Sequence, residues 1–346
     1  MNYIEGMLML KIQFLPRRDR FKSLIAELKN YGVQCNLISG IKYRNFFALP
    51  TLKFINSIDA DVFVSSNPYY GLFAAGLAKK KGTLDYSVFR LKGDYWTELK
   101  HENGTVKKRL GCYIKKIENF IALKDVDFTI TISNWMKKKA EEKGLNNLYV
   151  LYNGVDYNRF RPRNEDPAYK SQLLCVMNFN IYQKMYPLYD FLSEYKRRNM
   201  PYHITFLGTG LYLQSLKNHV TRLGLNKKVT FKGWINKVEY YYSNCDILIH
   251  PSGLEALGMA PIEAGASSKP TISTNVGGIP EIIVEGKTGF LSNDIDYLLD
   301  HVTYLMENKD IRDKMGLTAR KRMMENFSWS NSAKIFIDIL KKEDII

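Results

Sequence analysis

The sequence contains no apolar run that approaches the ~18 residues of a membrane-spanning helix, so any membrane contact is expected to be peripheral. The opening "MNYIEGMLMLKIQFLP" has only a short apolar run and no basic start. It reads as a first strand rather than a signal peptide. Cysteine is scarce: the four, Cys35, Cys112, Cys175 and Cys245, are far apart, which removes any metal or redox spacing and fits a reducing cytoplasm. No nucleic-acid reading module and no aromatic strand motif of the kind that stacks bases appears, so a nucleic-acid partner is not expected. Long disorder is excluded by composition, because 45% hydrophobic and 25% charged residues are globular values.

What is present is an uneven positive charge. Residues 1–165 hold 28 Lys+Arg and 16 Asp+Glu, and residues 166–346 hold 22 and 19, so +12 of the net +15 lies in the first half. That half suits an anionic partner such as a phospholipid surface or a phosphorylated small molecule; lysine-rich solvated faces with no partner are the alternative. In "TVKKRLGCYIKKIENFIALK" (105–124) apolar residues at helical spacing alternate with lysines. Packing on its own sheet explains that stripe, and with Lys79, Lys80, Lys81 and the 137–139 run it also suits anionic lipid.

At 346 residues two domains are expected. Short apolar strands alternate with amphipathic helices throughout. In the first half they are 8–15, 34–39, 61–66, 84–90, 127–133 and 148–153. In the second they are 172–178, 203–208, 228–233, 246–251 and 270–274, followed by helices at 294–307, 309–325 and 328–340. Such alternation predicts α/β architecture with two doubly wound parallel sheets. The polar, turn-rich stretch 153–170 marks the break. The expected layout is a first domain over 1–165, a second over 166–326, and a terminal helical segment over 327–346. Two such domains imply a cleft, with ligands beyond the carboxyl ends of the strands.

The stretch "HPSGLEALGMAPIEAGASSKP" (250–270) sets two carboxylates, Glu255 and Glu263, among small and apolar residues. Glu255 falls in the loop after a strand; Pro261 suits a first helical turn, which places Glu263 near that helix's start. The amides around Ala256, Leu257 and Gly258 then form an anion site at the helix N-terminus. Carboxylates on either side of such a site suit a ligand with hydroxyls flanking a diphosphate, because a carboxylate accepts from neighbouring sugar hydroxyls. The ligand implied is a nucleotide sugar; helix capping by Glu263 and a solvated Glu255 are the alternative.

The segment 251–291, with its paired glutamates, the turn at Gly277, Gly278, Pro280 and Glu281, and the later "GKTGFL", resembles the nucleotide-sugar signature of retaining GT-B-fold glycosyltransferases, the broad glycosyltransferase family 4. "NGVDYNRFRP" (153–162) resembles that family's connector, 206–235 its central strand–helix–strand, and "FSWSNSAKIF" (327–336) the helix crossing back to the first domain. The resemblance implies that Glu255 contacts the transferred sugar and Glu263 the ribose. It sets the amides of Ala256, Leu257 and Gly258 near the diphosphate, and turns Gly233, Trp234 and Ile235 to the base. In "MNFNIYQK" (177–184) Lys184 fits the family's diphosphate lysine, whereas Asn178 stands where an arginine is expected.

The first loop, "LPRRDR" (15–20), carries Arg17 and Arg18 in place of the family's glycines; they suit a diphosphate or a phosphorylated acceptor, or else an exposed basic helix start. "RLKGDYW" (90–96) resembles a loop of some relatives; Lys92 is the cation there, and Asp94, placed after a strand, is the candidate beside the reacting carbon or acceptor hydroxyl. The activity implied is transfer of a sugar from a nucleotide-diphosphate donor to a glycan, lipid-linked or other hydroxyl acceptor. Anomeric configuration would be retained, and no cofactor or metal is required. "DVD" (125–127) and "DID" (294–296) sit at a strand entry and a helix start, where capping explains them. A sugar-nucleotide epimerase and a non-catalytic sugar-binding relative remain as alternatives.

Overall fold

A computed structural model describes residues 10–15, 21–38, 51–66, 70–93, 126–163 and 166–346. The chain forms two units, Met1–Gly154 with Trp329–Ile346, and Val155–Ser328.

The first unit holds strands β1 (Lys11–Leu15), β2 (Gln34–Leu37), β3 (Ala60–Ser65), β4 (Leu84–Leu91), β5 (Phe128–Thr131) and β6 (Leu148–Val150). They form one sheet in the order β2-β1-β3-β4-β5-β6, every pair parallel. Its described helices are α1 (Phe21–Asn30), α2 (Leu52–Ile55), α3 (Tyr70–Lys81), α4 (Asn134–Glu141) and the terminal α12 (Trp329–Lys342). Alternate strand residues face opposite ways. Ile12 and Phe14 of β1 join Val62 and Val64 of β3 under α1 and α12, while Leu15 and Phe63 meet the other face with Phe54, Ala74 and Ala78. Helix α12 carries Ala333, Phe336, Ile337 and Leu340, a spacing that makes one apolar stripe, and all four are buried against that first face. Phe336 lies 6.4 Å from Phe14, ring to ring. The helix end is tied as well: the Glu343 carboxylate accepts from Asn147 Nδ2 at 3.0 Å and from the Tyr149 hydroxyl.

The second unit repeats the scheme. Its strands are β7 (Ser171–Val176), β8 (Ile204–Leu207), β9 (Val229–Gly233), β10 (Cys245–His250), β11 (Thr271–Ser273) and β12 (Gly289–Leu291), in the order β12-β11-β10-β7-β8-β9, again all parallel. Its helices are α5 (Tyr182–Arg197), α6 (Leu213–Arg222), α7 (Val238–Asn244), α8 (Met259–Ala266), α9 (Ile279–Ile282), α10 (Ile295–Glu307) and α11 (Lys309–Asn326). Ile247 and Ile249 of β10 pack with Leu173, Phe191, Phe206, Leu298 and Val302, so α5 and α10 cover one face. Edge strand β12 is an element that hydrophobic patterning does not predict. Three residues within a glycine turn are too short to show a period, and pairing of Thr271 with Gly289 brings them into the sheet.

The polar connector is anchored within the second unit. Val155 N donates to Phe327 O at 2.7 Å, Arg159 pairs with Glu239 at 2.8 Å, and Arg320 donates to the carbonyls of Phe160 and Tyr157. Two of the sequence's acidic triplets find structural roles. Asp294 Oδ1 accepts from Asp296 N at 2.9 Å as the cap of α10. Asp127 accepts from Ser87 N and holds Lys79 Nζ at 2.8 Å. That ion pair occupies one lysine of the 79–81 run that the sequence offered to lipid; Asp125 lies outside the described residues.

Because α12 fills the first unit's core from the far end of the chain, Phe336→Ala is expected to lower unfolding stability by about 3–5 kcal/mol. Urea denaturation followed by far-ultraviolet circular dichroism checks it. A loss under about 1 kcal/mol would show that the helix is an optional cover rather than part of the core.

Candidate functional site

The carboxyl edge of the second sheet gathers four loops, those after β10, β7, β8 and β9, from four adjacent strands. The loop after β10 runs from Pro251 to Gly258 and is fixed by its backbone. Ser252 N donates to Thr274 Oγ1 at 2.9 Å, and that hydroxyl donates back to Ser252 O at 2.5 Å. Gly253 N donates to Lys184 O at 3.1 Å, docking the loop on the first turn of α5. Gly278 N donates to Glu255 O at 3.1 Å. Gly277 has φ +58°, and a Cβ there would fall 1.7 Å from Glu255 O. Only glycine lets the 277–278 turn press against the backbone of Glu255. The same holds for Gly258, whose φ of +110° turns the chain into α8.

These constraints aim one carboxylate. Glu255 is 8% exposed. Its Oε2 lies 3.0 Å from Lys184 Nζ; its Oε1 lies 3.2 Å from His250 Nε2 and 3.4 Å from Ser252 Oγ. Burial by itself would raise the carboxyl's pKa. The Lys184 charge and the His250 hydrogen bond outweigh it and hold the group down at about 2, from an ordinary 4.5. The carboxylate is therefore ionised under all physiological conditions. His250 is itself buried at the end of β10, and its Nδ1 meets no hydrogen-bonding partner among the described residues.

The other predicted residues divide by position. Leu257 and Gly258 precede α8, and their N–H groups find no acceptor among the described residues. Ala256 lies beside them, with its carbonyl close under Gly278. Glu263 is the fifth residue of α8, one turn beyond the helix start, and half-buried. Burial first, and then the Glu263 charge, push the enclosed Tyr242 phenol well above its usual pKa, so this carboxylate lies beside α7. Asn178 is exposed after β7, and its Oδ1 accepts from Asn180 N at 3.0 Å and Nδ2 at 2.7 Å. At the end of β9, Gly233 O accepts from Gly208 N at 2.8 Å, and the Trp234 ring is 73% exposed with Nε1 bonded to Asn236 Oδ1. Ile235 beside it is half-buried. In the first unit, Lys92 Nζ lies 4.7 Å above the Phe21 ring, which also stacks Arg90 at 4.7 Å. Arg17, Arg18 and Asp94 lie outside the described residues.

The arrangement thus unites Lys184, Glu255 and the amides before α8, and adds three residues that spacing did not reveal: His250, Ser252 and Thr274. The only signal for His250 was a polar residue closing an otherwise apolar strand. Among the described residues, no three His, Cys, Asp or Glu side chains lie together as a metal cluster.

A buried, ionised carboxylate paired with a lysine, in a loop that leads into a helix start, is chemistry suited to an anionic, hydroxyl-rich ligand. Residues 156–322 match the family model described as Glycosyl transferases group 1. The match lies within the second unit. The chain is 26% identical over 209 residues to an uncharacterised glycosyltransferase of Methanocaldococcus jannaschii, covering 59% of this chain and 56% of that protein. It is 27% identical over 220 residues to a GDP-mannose-dependent phosphatidylinositol monomannoside mannosyltransferase of Mycobacterium tuberculosis, covering 57% of this chain and 56% of that protein. The matched stretch thus spans about half the length of these curated relatives. Among solved structures, Anabaena HepE in complex with UDP and glucose superimposes with a TM-score of 0.72 at 18% identity, covering 96% of this chain and 100% of that one. That likeness shows the GT-B fold.

The depressed Glu255 pKa makes a stability prediction. A carboxyl whose folded pKa is lowered contributes stability in full above its unfolded value and loses it as pH falls through the folded one. The advantage of the wild type over Glu255→Gln should therefore hold above 4.5 and shrink by about 3 kcal/mol as pH falls to about 2. Urea titrations of both proteins at several pH values measure it; a constant difference across that window would show that Glu255 is not held as an ion.

Proposed function

We propose that the protein is a glycosyltransferase that moves a sugar from a nucleotide-diphosphate donor to a glycan, lipid-linked or other hydroxyl acceptor, retaining the anomeric configuration. The observation that carries this reading is the Glu255–Lys184 pair, 3.0 Å apart, with Glu255 in the loop whose Leu257 and Gly258 amides have no acceptor among the described residues. The named functions of the relatives support it: a GDP-mannose-dependent transferase and a HepE structure holding UDP and glucose.

The reaction breaks the bond from the anomeric carbon to the diphosphate, leaving positive charge on the sugar and negative charge on the leaving group. In this reading Lys184 and the amides before α8 receive the diphosphate, where preorganised donors in a water-poor site are most effective. Glu255 accepts from hydroxyls of the transferred sugar. Glu263 serves the ribose, and Gly233, Trp234 and Ile235 serve the base. The acceptor oxygen bonds to the anomeric carbon from the face the diphosphate leaves, and the acceptor's proton passes to the departing phosphate oxygen. Retention follows from that same-face exchange. The positive charge comes from protein groups, so the donor is a substrate and no further cofactor enters.

Asn178 limits that charge. It is neutral, and its Oδ1 is committed to Asn180, which leaves only the amide Nδ2 to donate to phosphate. Asn178→Arg should tighten nucleoside-diphosphate binding about tenfold, the worth of one charged hydrogen bond, as read by calorimetry. Unchanged or weaker affinity would place the diphosphate away from the β7 loop.

A screen of nucleotide sugars by thermal shift tests the proposal as a whole. The true donor at about 100 times its Kd adds about 2.7 kcal/mol to the folded state and raises Tm. With that donor, Glu255→Gln should lower transfer by about 100-fold while leaving the fold intact. Wild-type turnover by this variant would remove Glu255 from the mechanism.

A further inference from the structure

His250 touches Glu255, is buried to 2% exposure, and has no part in the chemistry above. Its backbone is held firmly. It closes β10 in register with Ser273 of β11, and Ser273 Oγ donates to its carbonyl at 2.8 Å. The two oxygens of Glu255 face different kinds of partner. Oε1 meets only short, enclosed groups, His250 Nε2 at 3.2 Å and Ser252 Oγ at 3.4 Å. Oε2 meets the end of a long, flexible side chain, Lys184 Nζ, at 3.0 Å. A lysine is a mobile point charge on a four-carbon stem; a buried imidazole at a strand end is not mobile.

We propose that Oε1 of Glu255 is a fixed anchor held by His250, and that Oε2 passes from Lys184 to a sugar hydroxyl when the donor's diphosphate draws the lysine away. His250 is thus a positioning residue. The hand-over rests on the donor reading above; the anchor does not.

The tautomer follows from the geometry. Nε2 must carry the proton to donate to Oε1, while a proton on Nδ1 would be buried without an acceptor among the described residues. Hydrogen bonding of this kind fixes both the ring and the carboxylate it orients, as outer partners do at other sites. Among the described residues, the charged and titratable groups that act on Glu255 are Lys184 from α5 and His250 from β10, so a change at His250 reads out on one carboxyl with one other charged neighbour.

The test uses the full chain with His250→Leu, which fills space without donating, and His250→Gln, whose amide nitrogen reaches the Nε2 position. Carbon-13 NMR follows the titration of the Glu255 carboxyl, assigned with Glu255→Gln. The anchor predicts a midpoint raised by about one unit in His250→Leu and restored in His250→Gln. An unchanged midpoint in His250→Leu overturns it. Should His250→Leu not fold, His250→Asn, whose amide is too short to reach Oε1, decides by the same measurement. Nitrogen-15 NMR of the wild type should show the His250 proton on Nε2; a proton on Nδ1 instead overturns the anchor.

UDP-glucose and GDP-mannose are the probes for the second half. With whichever is turned over, His250→Leu should lose about 10- to 100-fold in kcat with KM for the donor little changed, and His250→Gln should recover most of it. A loss confined to KM overturns the hand-over. If no nucleotide sugar binds the wild type, the donor reading and the hand-over fall together, and the carboxyl titration still decides the anchor.

Discussion

Keeping a carboxylate charged inside a protein is the constraint around which the second unit is arranged. Taking an ion out of water costs several kcal/mol, and only close partners with good geometry offset it. Glu255 has a cation on one oxygen and an imidazole and a hydroxyl on the other. Each partner comes from a different place: Lys184 from the start of α5, His250 from the end of β10, Ser252 from the loop after β10. None is held by its own side chain alone. The Lys184 backbone accepts from Gly253, and the Glu255 backbone accepts from Gly278. The carboxylate's ionisation therefore depends on the correct placing of α5, β10 and the 277–278 turn together. Buried ion pairs contribute little net stability, so such an arrangement is better understood as fixing one geometry than as strengthening the fold.

The parallel sheet makes that convergence possible. Strands β10 and β7 are neighbours, so the loop leaving each emerges beside the other at the same edge. Residues 71 positions apart in sequence thus come within 3.0 Å. Pro187 within α5 assists locally. It has no N–H to offer the Gln183 carbonyl, and the loop at Gly253 lies against that oxygen so closely that a Cβ would meet it at 2.2 Å. Helix α8 then starts where φ turns positive at Gly258, and the Leu257 and Gly258 amides before it have no acceptor among the described residues.

Much of this was legible in the sequence because the signals were local. Apolar runs alternating with amphipathic stretches gave both sheets, and two glutamates among alanines and glycines singled out the site. Lys184 followed from its place after a strand and from resemblance. What stayed hidden depends on tertiary pairing. His250 closes an apolar strand and reads as its boundary; only the fold shows that its ring meets Glu255. Ser252 and Thr274, 22 residues apart, lock each other only once β10 and β11 lie side by side. Strand β12 lacks the length for a period to appear. Glu263 shows the same limit from the other direction: helix spacing placed it near the helix start, but its neighbour, Tyr242, belongs to another helix.

The pairing also explains how a site lacking the arginine expected near Asn178 can stay intact without its ligand. With no diphosphate bound, Lys184 and Glu255 satisfy each other, so neither charge is left buried alone. Position 178 is exposed, and the asparagine there bonds to Asn180 and adds no charge. In the donor reading proposed above, the absence of an arginine at position 178 leaves one charge fewer from the β7 loop to meet the diphosphate. Under the proposed hand-over, Lys184 couples arrival of the diphosphate to release of the Glu255 oxygen that meets the sugar.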